Sequence, residues 1–209
     1  MSQQIPARVN RLPRDQRRAQ LLTAALDVFT SAGYHAAAMD EIAERAGVSK
    51  PVLYQHFPSK LELYLAVLDL HIDSLVFALQ RALASTHDNS ERVRATVEAY
   101  FAFIDGESEA FRLLFESDLT SEPAVNERLT RMTYECATAV SAVIAADTGL
   151  PEEAAMLLGV GLIGTSQVIA RYWLQRDGRL SRERACELVA NLQWRGISGF
   201  PLYEHQPLG

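Results

Sequence analysis

The chain has 209 residues, of which 48% are hydrophobic and 22% charged, an ordinary composition for a soluble globular protein of one or two domains. Charges interrupt each apolar stretch short of the length of a membrane helix, and residues 1–18 contain no apolar signal segment, so we expect a cytoplasmic protein without a membrane partner. The net charge is −6, yet residues 1–60 hold eight basic and five acidic side chains, which indicates either a site for a polyanion or a chance cluster of solvated arginines.

Hydrophobic residues recur with helical spacing along nearly the whole chain, and we find no convincing alternation typical of a strand. The first helix is predicted over residues 14–32, because an apolar stripe there is followed by Gly33, a residue type that commonly ends helices. A short helix follows over residues 40–46. After the tight turn of residues 47–49, a third helix begins with Pro51 in its first turn, where proline sacrifices no hydrogen bond.

Two capping boxes mark the next helix starts: Ser59 with Glu62, and Asp88 with Glu91. The last helix is expected to be capped by Ser181. Six helices are thus predicted after the first three, and the fold class is all-α with about nine helices. Their approximate ranges are residues 59–83, 88–106, 108–119, 123–147, 151–178 and 181–199.

Residues 33–60 point to the function, because they read as helix, glycine-containing turn and helix, with small residues where the two helices cross. A helix-turn-helix unit lays its second helix in the DNA major groove. The inward residues of that helix are expected to be Val52, Leu53 and Phe57. Its outward side chains suit phosphate oxygens and base edges: Lys50, Tyr54, Gln55 and His56.

The pattern I-A-x-x-A-G-V-S-x-P-x-L-Y-x-H-F-x-x-K, from Ile42 to Lys60, resembles the signature of TetR/AcrR transcriptional regulators. The resemblance implies a helix-turn-helix DNA-binding domain over residues 1–60 and a helical effector-binding and dimerisation domain over residues 61–209. It further implies a cytoplasmic, nucleoid-associated regulator of double-stranded DNA. The expected function is a repressor that leaves a near-palindromic operator when a small, largely apolar effector binds.

The resemblance carries DNA-contact roles to the matching positions only. It places Lys50 and Tyr54 at the groove, assigns the DNA backbone to His56 and Lys60, and adds a phosphate contact from Ser49. Packing on the first helix is the structural alternative for Tyr54. For His56 the alternative is a cap on the end of its own helix.

Three further features refine the predicted DNA site. Gln55 takes a variable groove-facing position, where its amide could select adenine. Family members often place Thr or Ser near the start of the second helix, and residues 37–39 are Ala-Ala-Met here, so that phosphate contact is in doubt. Arg14, with Arg8 and Arg11, resembles an arm that enters a minor groove, and a solvated tail is the equal alternative.

Residues 151–178 are too apolar all round for a helix with a solvent face, and Gly159, Gly161 and Gly164 weaken such a helix unless something packs closely against it. TetR-like proteins pair their last two helices with the copies in a second chain. The resemblance therefore implies a homodimer through the last two long helices, with recognition helices roughly 34 Å apart or wider. A buried helix within a monomer is the alternative.

Residues 88–147 carry several aromatic side chains that belong to the core by default. The resemblance makes some of them candidates for an apolar effector pocket, with two polar anchors further along the chain. For Arg171, the second of these anchors, a position on the surface or in an interface is equally compatible with the sequence. The candidate effector-binding residues are Phe101, Phe111, Phe115, Met132, Gln167 and Arg171.

An enzyme is the first competing class, and the sequence has no Gly-rich phosphate loop, nucleophile elbow, H-E-x-x-H or C-x-x-C pattern. His71 beside Asp69 or Asp73 could suggest a metal, but metal-binding helical bundles need repeated Glu-x-x-His motifs. Cys136 and Cys186 lie far apart and predict no disulfide. We therefore expect no catalytic residue, metal or cofactor. A partner-binding protein that no longer reads DNA is the second competing class, and an activator competes with the repressor.

Overall fold

The computed structural model describes residues 13–106, 119, 121–176 and 179–196. Within these ranges the only regular secondary structure is α-helix, so the predicted all-α class is confirmed. The eight helices described are close to the nine predicted, and the helix expected over residues 108–119 lies almost wholly outside the described residues. The helices are α1 Arg14–Ala36, α2 Met39–Arg45, α3 Lys50–His56, α4 Lys60–Ala84, α5 Asn89–Gly106, α6 Pro123–Thr148, α7 Glu152–Leu174 and α8 Arg182–Arg195.

The first of two compact units covers Met1–Val67 and contains the helix-turn-helix segment. α1 contributes Leu21, Ala25 and Val28 to its core, and all three are fully buried. Helical geometry breaks at Gly33, which adopts φ 75° and ψ 162°, a conformation that side chains other than glycine rarely tolerate. The predicted end of the first helix is therefore confirmed, although one more helical turn follows the break.

The turn between α2 and α3 needs Gly47, whose φ is 63°. The backbone N–H of Gly47 donates to the carbonyl of Glu44, and that of Val48 donates to the carbonyl of Ala43, each at 2.9 Å. The side-chain amide of Gln20 in α1 donates to the carbonyl of Ala46 at 2.7 Å, which ties the turn to α1. These bonds satisfy the end of α2 and hold the start of α3 in place.

The first turns of α4 belong to the same unit. The Glu62 N–H donates to the Ser59 hydroxyl at 3.1 Å, as the first capping box predicts. The Tyr64 ring packs edge-on against Phe29 of α1, with ring centroids 5.1 Å apart. Because this part of α4 is buried in the first unit, the boundary between the two units falls inside α4, after Val67 and later than residue 60.

The second unit, Leu68–Gly209, is a helical bundle in which α6 packs against α7 and α5 packs against α8. Gly159 permits the closest approach, because a Cβ there would lie 2.7 Å from the carbonyl oxygen of Ala137. The Glu91 N–H donates to the Asp88 carboxylate at 2.9 Å, which is the N-cap half of the second predicted capping box, whereas the Asp88 N–H donates to the Thr86 hydroxyl at 3.2 Å.

Two helices end earlier than the sequence predicts. α7 ends at Leu174, and the indole of Trp173 then donates to the carbonyl of Leu180 at 2.7 Å across the turn into α8. Ser181 caps α8 as expected, by accepting from the Arg184 N–H at 3.3 Å. α8 ends at Arg195 rather than at residue 199, because the next residue, Gly196, leaves helical geometry with a positive φ of 67° that glycine adopts readily.

Candidate nucleic-acid interface and effector cavity

α3 buries one side and exposes the other. Leu53 is fully buried, whereas Lys50, Tyr54 and Gln55 are exposed along the outer side of the helix. Ser49, also exposed, is the N-cap residue, and its hydroxyl makes no capping hydrogen bond to the helix. The structure thus brings four of the predicted DNA-contacting residues onto one surface.

Lys50 forms an ion pair with a residue that the sequence reasoning did not select. Its ammonium lies 2.8 Å from one carboxylate oxygen of Asp40 in α2 and 3.1 Å from the other. The hydrogen bond from Lys50 to this carboxylate, followed by the carboxylate's charge, raises the pKa of Lys50. Both side chains are exposed, so a phosphate or a base acceptor can replace Asp40 as the partner of Lys50.

A basic cluster surrounds His56 at the end of α3. Burial lowers the pKa of His56, and the nearby charges of Arg14, Arg18 and Arg17 lower it further, in that order. The guanidinium of Arg18 lies 4.5 Å from the centre of the Phe57 ring. His56 thus stands beside three cations, an arrangement that attracts phosphate. The sequence reasoning selected Arg14 but not Arg17 or Arg18, which the helical spacing of the three arginines could have indicated.

Lys60 makes contacts that differ from its predicted role at the DNA backbone. Its ammonium donates to the backbone carbonyls of Tyr34, His35 and Ala37 at 2.7, 3.2 and 2.9 Å. It also lies 4.5 Å from the centre of the Tyr34 ring. All three acceptors follow the break at Gly33. Contact between Lys60 and DNA phosphate stays a prediction.

The start of α2 has no polar side-chain cap. Ala38 occupies the N-cap position and can make no side-chain hydrogen bond there. Met39 is buried at the first helical position. Asp40 and Glu41 lie in the first turn, where their negative charges interact favourably with the helix dipole but repel a phosphate.

In the second unit the structure describes four of the six predicted effector residues. Phe101 and Met132 are buried, and the Phe101 ring packs on Trp173 with centroids 5.5 Å apart. Gln167 and Arg171 on α7 are half-buried. The remaining two predicted residues, Phe111 and Phe115, lie outside the described residues.

Tyr100 is the residue of this region that the prediction left out. Its side chain is buried and its hydroxyl has no hydrogen-bond partner among the described residues. Burial, with a smaller contribution from Cys136, raises the pKa of Tyr100, and the charge of Arg171 acts in the opposite direction. Since a buried unpaired hydroxyl is costly, Tyr100 marks a place where a ligand can supply the missing partner.

A cavity of ≈ 270 Å³ lies in the same bundle, between the end of α4 and helices α5 to α8. Thr96, Val140 and Ser166 line it. These residues lie one helical turn from Tyr100, Cys136 and Ala170 on the same three helices. None of the four predicted effector residues that the structure describes lines this cavity, which lies one layer further along the bundle. The other lining residues are Leu83, Asn89, Arg92, Val93, Val143, Ile144, Asp147, Thr148, Leu162, Ile163, Gln193 and Trp194.

The cavity is mainly apolar and has one ion pair in its wall. The guanidinium of Arg92 lies 2.7 Å from the carboxylate of Asp147. The amide of Gln193 donates to the Ser166 hydroxyl at 2.8 Å and to the Leu162 carbonyl at 2.9 Å. An apolar space with a few placed polar groups is the usual form of a small-molecule site.

The acidic residues near His71 make ion pairs. Asp69 lies 3.1 Å from both Arg128 and Arg131 of α6, and Asp73 lies 3.7 Å from Arg131. In the part of the chain that the structure describes, no group of three or more His, Cys, Asp or Glu residues is placed to hold a metal ion. These contacts join α4 to α6.

Comparisons with known proteins agree with this arrangement. The family described as "Bacterial regulatory proteins, tetR family" matches residues 21–67. The "HTH-type transcriptional activator FasR" of Mycolicibacterium smegmatis is 52% identical over 195 residues, which cover 93% of this chain and 89% of that protein. The chain belongs to the TetR family. It is accordingly a DNA-binding, ligand-responsive transcriptional regulator.

Solved structures of TetR-family and other regulators share its fold. A TetR-like transcriptional regulator from Rhodococcus sp. RHA1 superposes with a TM-score of 0.72 at 27% identity, over 91% of this chain and 100% of that one. The regulator FadR from Bacillus subtilis, solved in complex with stearoyl-CoA, superposes with a TM-score of 0.69 at 19% identity. That match covers 86% of this chain and 98% of that one.

α7 carries a large apolar surface in this TetR-family protein. Among the described residues it is the one helix long and apolar enough to cross a membrane, by length and composition only, and 28% of its most apolar stretch is buried within the chain. Leu157, Val168 and Tyr172 are 74%, 62% and 58% exposed. Space is open at the Cβ positions of Gly161 and Gly164. Another surface can therefore approach α7 closely.

Proposed function

We propose that this TetR-family regulator is a homodimer that reads a near-palindromic operator with the exposed side of α3. The observation that carries the proposal is the placement of Lys50, Tyr54 and Gln55 on that side, opposite the buried Leu53. Tyr54 and Gln55 offer a hydroxyl and an amide for base edges. Ser49 is exposed at the start of the helix and suits a phosphate.

The basic cluster is proposed to hold the DNA backbone. Arg14 and His56, with Arg17 and Arg18 beside them, offer cations and a ring N–H to adjacent phosphates. Lys50 would exchange its ion pair with Asp40 for a contact in the groove. Asp40 then loses its partner and faces DNA, and only a new acceptor for Lys50 on the DNA compensates for the lost ion pair. We therefore propose that Asp40 disfavours DNA sequences that offer Lys50 no acceptor.

The dimer is proposed to form through α7 and α8. An apolar surface of the kind exposed at Leu157, Val168 and Tyr172 is unfavourable in water and is buried by a second copy of the same helix. The open space at Gly161 and Gly164 lets the two copies of α7 approach closely. A two-fold symmetric dimer reads a two-fold symmetric operator, which is why we expect a near-palindrome. The protein would work in the cytoplasm, associated with the nucleoid.

We propose a long-chain acyl-CoA as the effector. The support is the FadR structure with stearoyl-CoA, whose fold this chain shares, together with the apolar cavity of ≈ 270 Å³. Phe101, Met132 and the orphan hydroxyl of Tyr100 lie in the neighbouring layers of the bundle. An acyl chain would occupy the apolar layers, with its thioester or headgroup near the polar anchors Gln167 and Arg171.

The coupling between effector and DNA is proposed to run through α4. This helix begins in the DNA-binding unit and continues into the second unit, where Asp69 pairs with Arg128 and Arg131 of α6. An effector that binds one arrangement of the bundle better than the other would shift the position of α4. It would then change operator affinity only by its differential affinity for the two states.

The sign of regulation is proposed from a relative that matches most of the chain. FasR of Mycolicibacterium smegmatis is named a transcriptional activator, so we propose that this protein also activates at least one promoter. The repressor predicted from the family resemblance is the competing hypothesis. Geometry does not distinguish the two, because the sign depends on where the operator lies relative to the promoter.

The test is to map the bound sites in cells and then follow the promoters beside them. Sites recovered with the tagged full-length protein should share a near-palindromic sequence, and reporter expression from those promoters should fall when the gene is deleted. Expression that rises on deletion would replace the activator with a repressor. Recovery of no shared sequence would overturn operator reading by α3.

A further inference from the structure

Lys60 joins two corners of the DNA-binding unit that lie far apart in sequence. It is the first residue of α4, directly after the connection from α3. Its three carbonyl acceptors lie 23 to 26 residues earlier, between the break at Gly33 and the start of α2. The whole helix-turn-helix segment, from Met39 to His56, is thus enclosed between the two ends of this contact.

The hydrogen bonds use the full donor capacity of the side chain. An ammonium has three N–H donors, and the Lys60 ammonium meets the carbonyls of Tyr34, His35 and Ala37 at 2.7, 3.2 and 2.9 Å. Carbonyls at the end of a helical turn carry partial negative charge that favours a cation. A phosphate could take the ammonium only by removing it from these acceptors.

The aromatic side chains around Lys60 hold it in this position. The ammonium lies 4.5 Å from the centre of the Tyr34 ring, and that ring packs edge-on against Tyr64 of α4 with centroids 5.2 Å apart. Phe29 of α1 contacts both tyrosines, at 5.9 Å from Tyr34 and 5.1 Å from Tyr64. The first turn of α4 and the end of α1 are therefore joined by apolar as well as charged contacts.

We propose that Lys60 is a positioning residue that clamps the α1–α2 corner to the start of α4 and so sets the helix-turn-helix unit in its DNA-reading geometry. It acts on DNA affinity through α2 and α3, not through a phosphate. The proposal rests on the proposed function only in assuming that the helix-turn-helix unit binds operator DNA.

The test uses the full-length protein with three substitutions. Lys60→Met keeps the aliphatic stem and removes the ammonium, and Lys60→Arg keeps the charge. The matched control is Lys50→Met, which removes one charge from an exposed lysine of the same unit. Amide hydrogen exchange is measured without DNA over residues 37–46, and DNA affinity is measured at several salt concentrations.

Loss of the clamp should speed exchange over residues 37–46 by about tenfold or more in Lys60→Met, because hydrogen bonds to a charged group are lost. Lys50→Met should change it by less than about twofold, as expected for an exposed ion pair. Lys60→Met should also weaken DNA binding without changing the salt slope. Lys50→Met should flatten that slope by about one unit.

A direct measurement on the unsubstituted protein covers the case in which Lys60→Met fails to fold. The ¹⁵N–¹H signal of the Lys60 ammonium, assigned by its loss in Lys60→Arg, should exchange slowly with water and show coupling across its hydrogen bonds to carbonyl carbons. Wild-type exchange rates over residues 37–46 in Lys60→Met, or a rapidly exchanging ammonium, would overturn the clamp. If the wild-type protein bound no operator, the proposed function would be contradicted. The amide exchange over residues 37–46 and the exchange of the Lys60 ammonium, both measured without DNA, would still decide whether the clamp exists.

Discussion

The turn of the helix-turn-helix segment in the first unit and the cavity of the second unit differ in how far apart in sequence their contacts lie. In the first unit, the turn at Gly47 is closed by bonds between residues three to five apart, and α3 spans only Lys50–His56. In the second unit, the cavity is assembled from α4 to α8, so its lining residues are up to about a hundred positions apart. Short-range contacts leave a readable pattern in the sequence, and long-range packing does not.

The same contrast separates the two kinds of functional residue. A side chain on the outer side of a short helix is recognised from helical spacing alone, as for Tyr54 and Gln55. A cavity residue is recognised only when its neighbours are known. Phe101 and Met132 were predicted from residue type and are buried, yet the cavity of ≈ 270 Å³ lies one layer further along.

The largest expected effect concerns the apolar face of α7. Leu157→Glu combined with Val168→Glu should abolish the dimer at micromolar concentration, because a buried unpaired carboxylate is strongly unfavourable. Operator affinity should fall by at least about tenfold, since half of the phosphate contacts are lost. Light scattering and anisotropy measure the two effects.

Leu70 of α4 provides the matched control, because it is also an exposed apolar residue in the second unit. Leu70→Glu should leave both the dimer and operator affinity unchanged. A dimer that survives the double substitution in α7 would remove that helix from the proposed interface.

The next effect is on the core behind the recognition surface. Leu53→Ala should lower the free energy of unfolding of the first unit by about 2–5 kcal/mol, because Leu53 is fully buried in α3 and its truncation leaves a cavity. Gln55→Ala, on the exposed side of the same helix, should change it by less than about 0.5 kcal/mol. Chemical denaturation measures both, and equal losses would mean that the two sides of α3 are assigned incorrectly.

A smaller effect is expected at the orphan hydroxyl in the effector unit. Tyr100→Phe should weaken stearoyl-CoA binding by about tenfold, because the effector loses one hydrogen bond in a buried place. It should leave the unfolding free energy unchanged or slightly raised, since the hydroxyl has no partner among the described residues. Calorimetric titration and thermal unfolding measure the two quantities. Unchanged affinity together with lower stability would give Tyr100 a structural role.

The smallest effect is a pH dependence at His56. Burial and the charges of Arg14, Arg18 and Arg17 lower its pKa in the folded protein, so the folded state binds this proton more weakly than the unfolded state. The stabilising contribution is therefore present above about pH 6.5 and is lost as the pH falls through the lowered pKa. His56→Gln should flatten this part of the stability curve.

DNA affinity should change with pH in the opposite direction. Protonation of His56 adds a positive charge beside three arginines, so operator affinity at constant salt should rise between pH 7 and pH 5.5. His56→Gln should reduce that rise. An identical pH profile for the substituted and unsubstituted protein would separate His56 from the phosphate-binding cluster.

Much of the fold could be predicted from local patterns because each one has a local physical cause. Ser59 and Asp88 each accept from the backbone N–H three residues further on, as expected of N-caps, and Gly33 breaks α1. The end of α8 was predicted at residue 199 instead of just before Gly196. Gly196 could not be singled out, because the sequence does not show which glycine near this end of the chain takes a positive φ.

The parts that the sequence did not show are contacts between distant segments. The carbonyl partners of Lys60, more than twenty residues away, leave no periodic pattern. The Asp40–Lys50 pair joins two helices across a turn, and the orphan hydroxyl of Tyr100 depends on what three helices place around it. Each of these contacts can be identified only from the packed structure, since the residue types alone are compatible with several partners.

Fluorescence anisotropy with the full-length protein tests the central claim most directly. An operator fragment recovered from cells is compared with random DNA over a range of salt concentrations, for wild-type and Lys50→Met protein. We expect two chains per site, a preference for the operator of about a thousandfold or more, and a salt slope lowered by about one unit in Lys50→Met. Equal affinity for operator and random DNA at every salt concentration would contradict the assignment of α3 as the element that reads DNA.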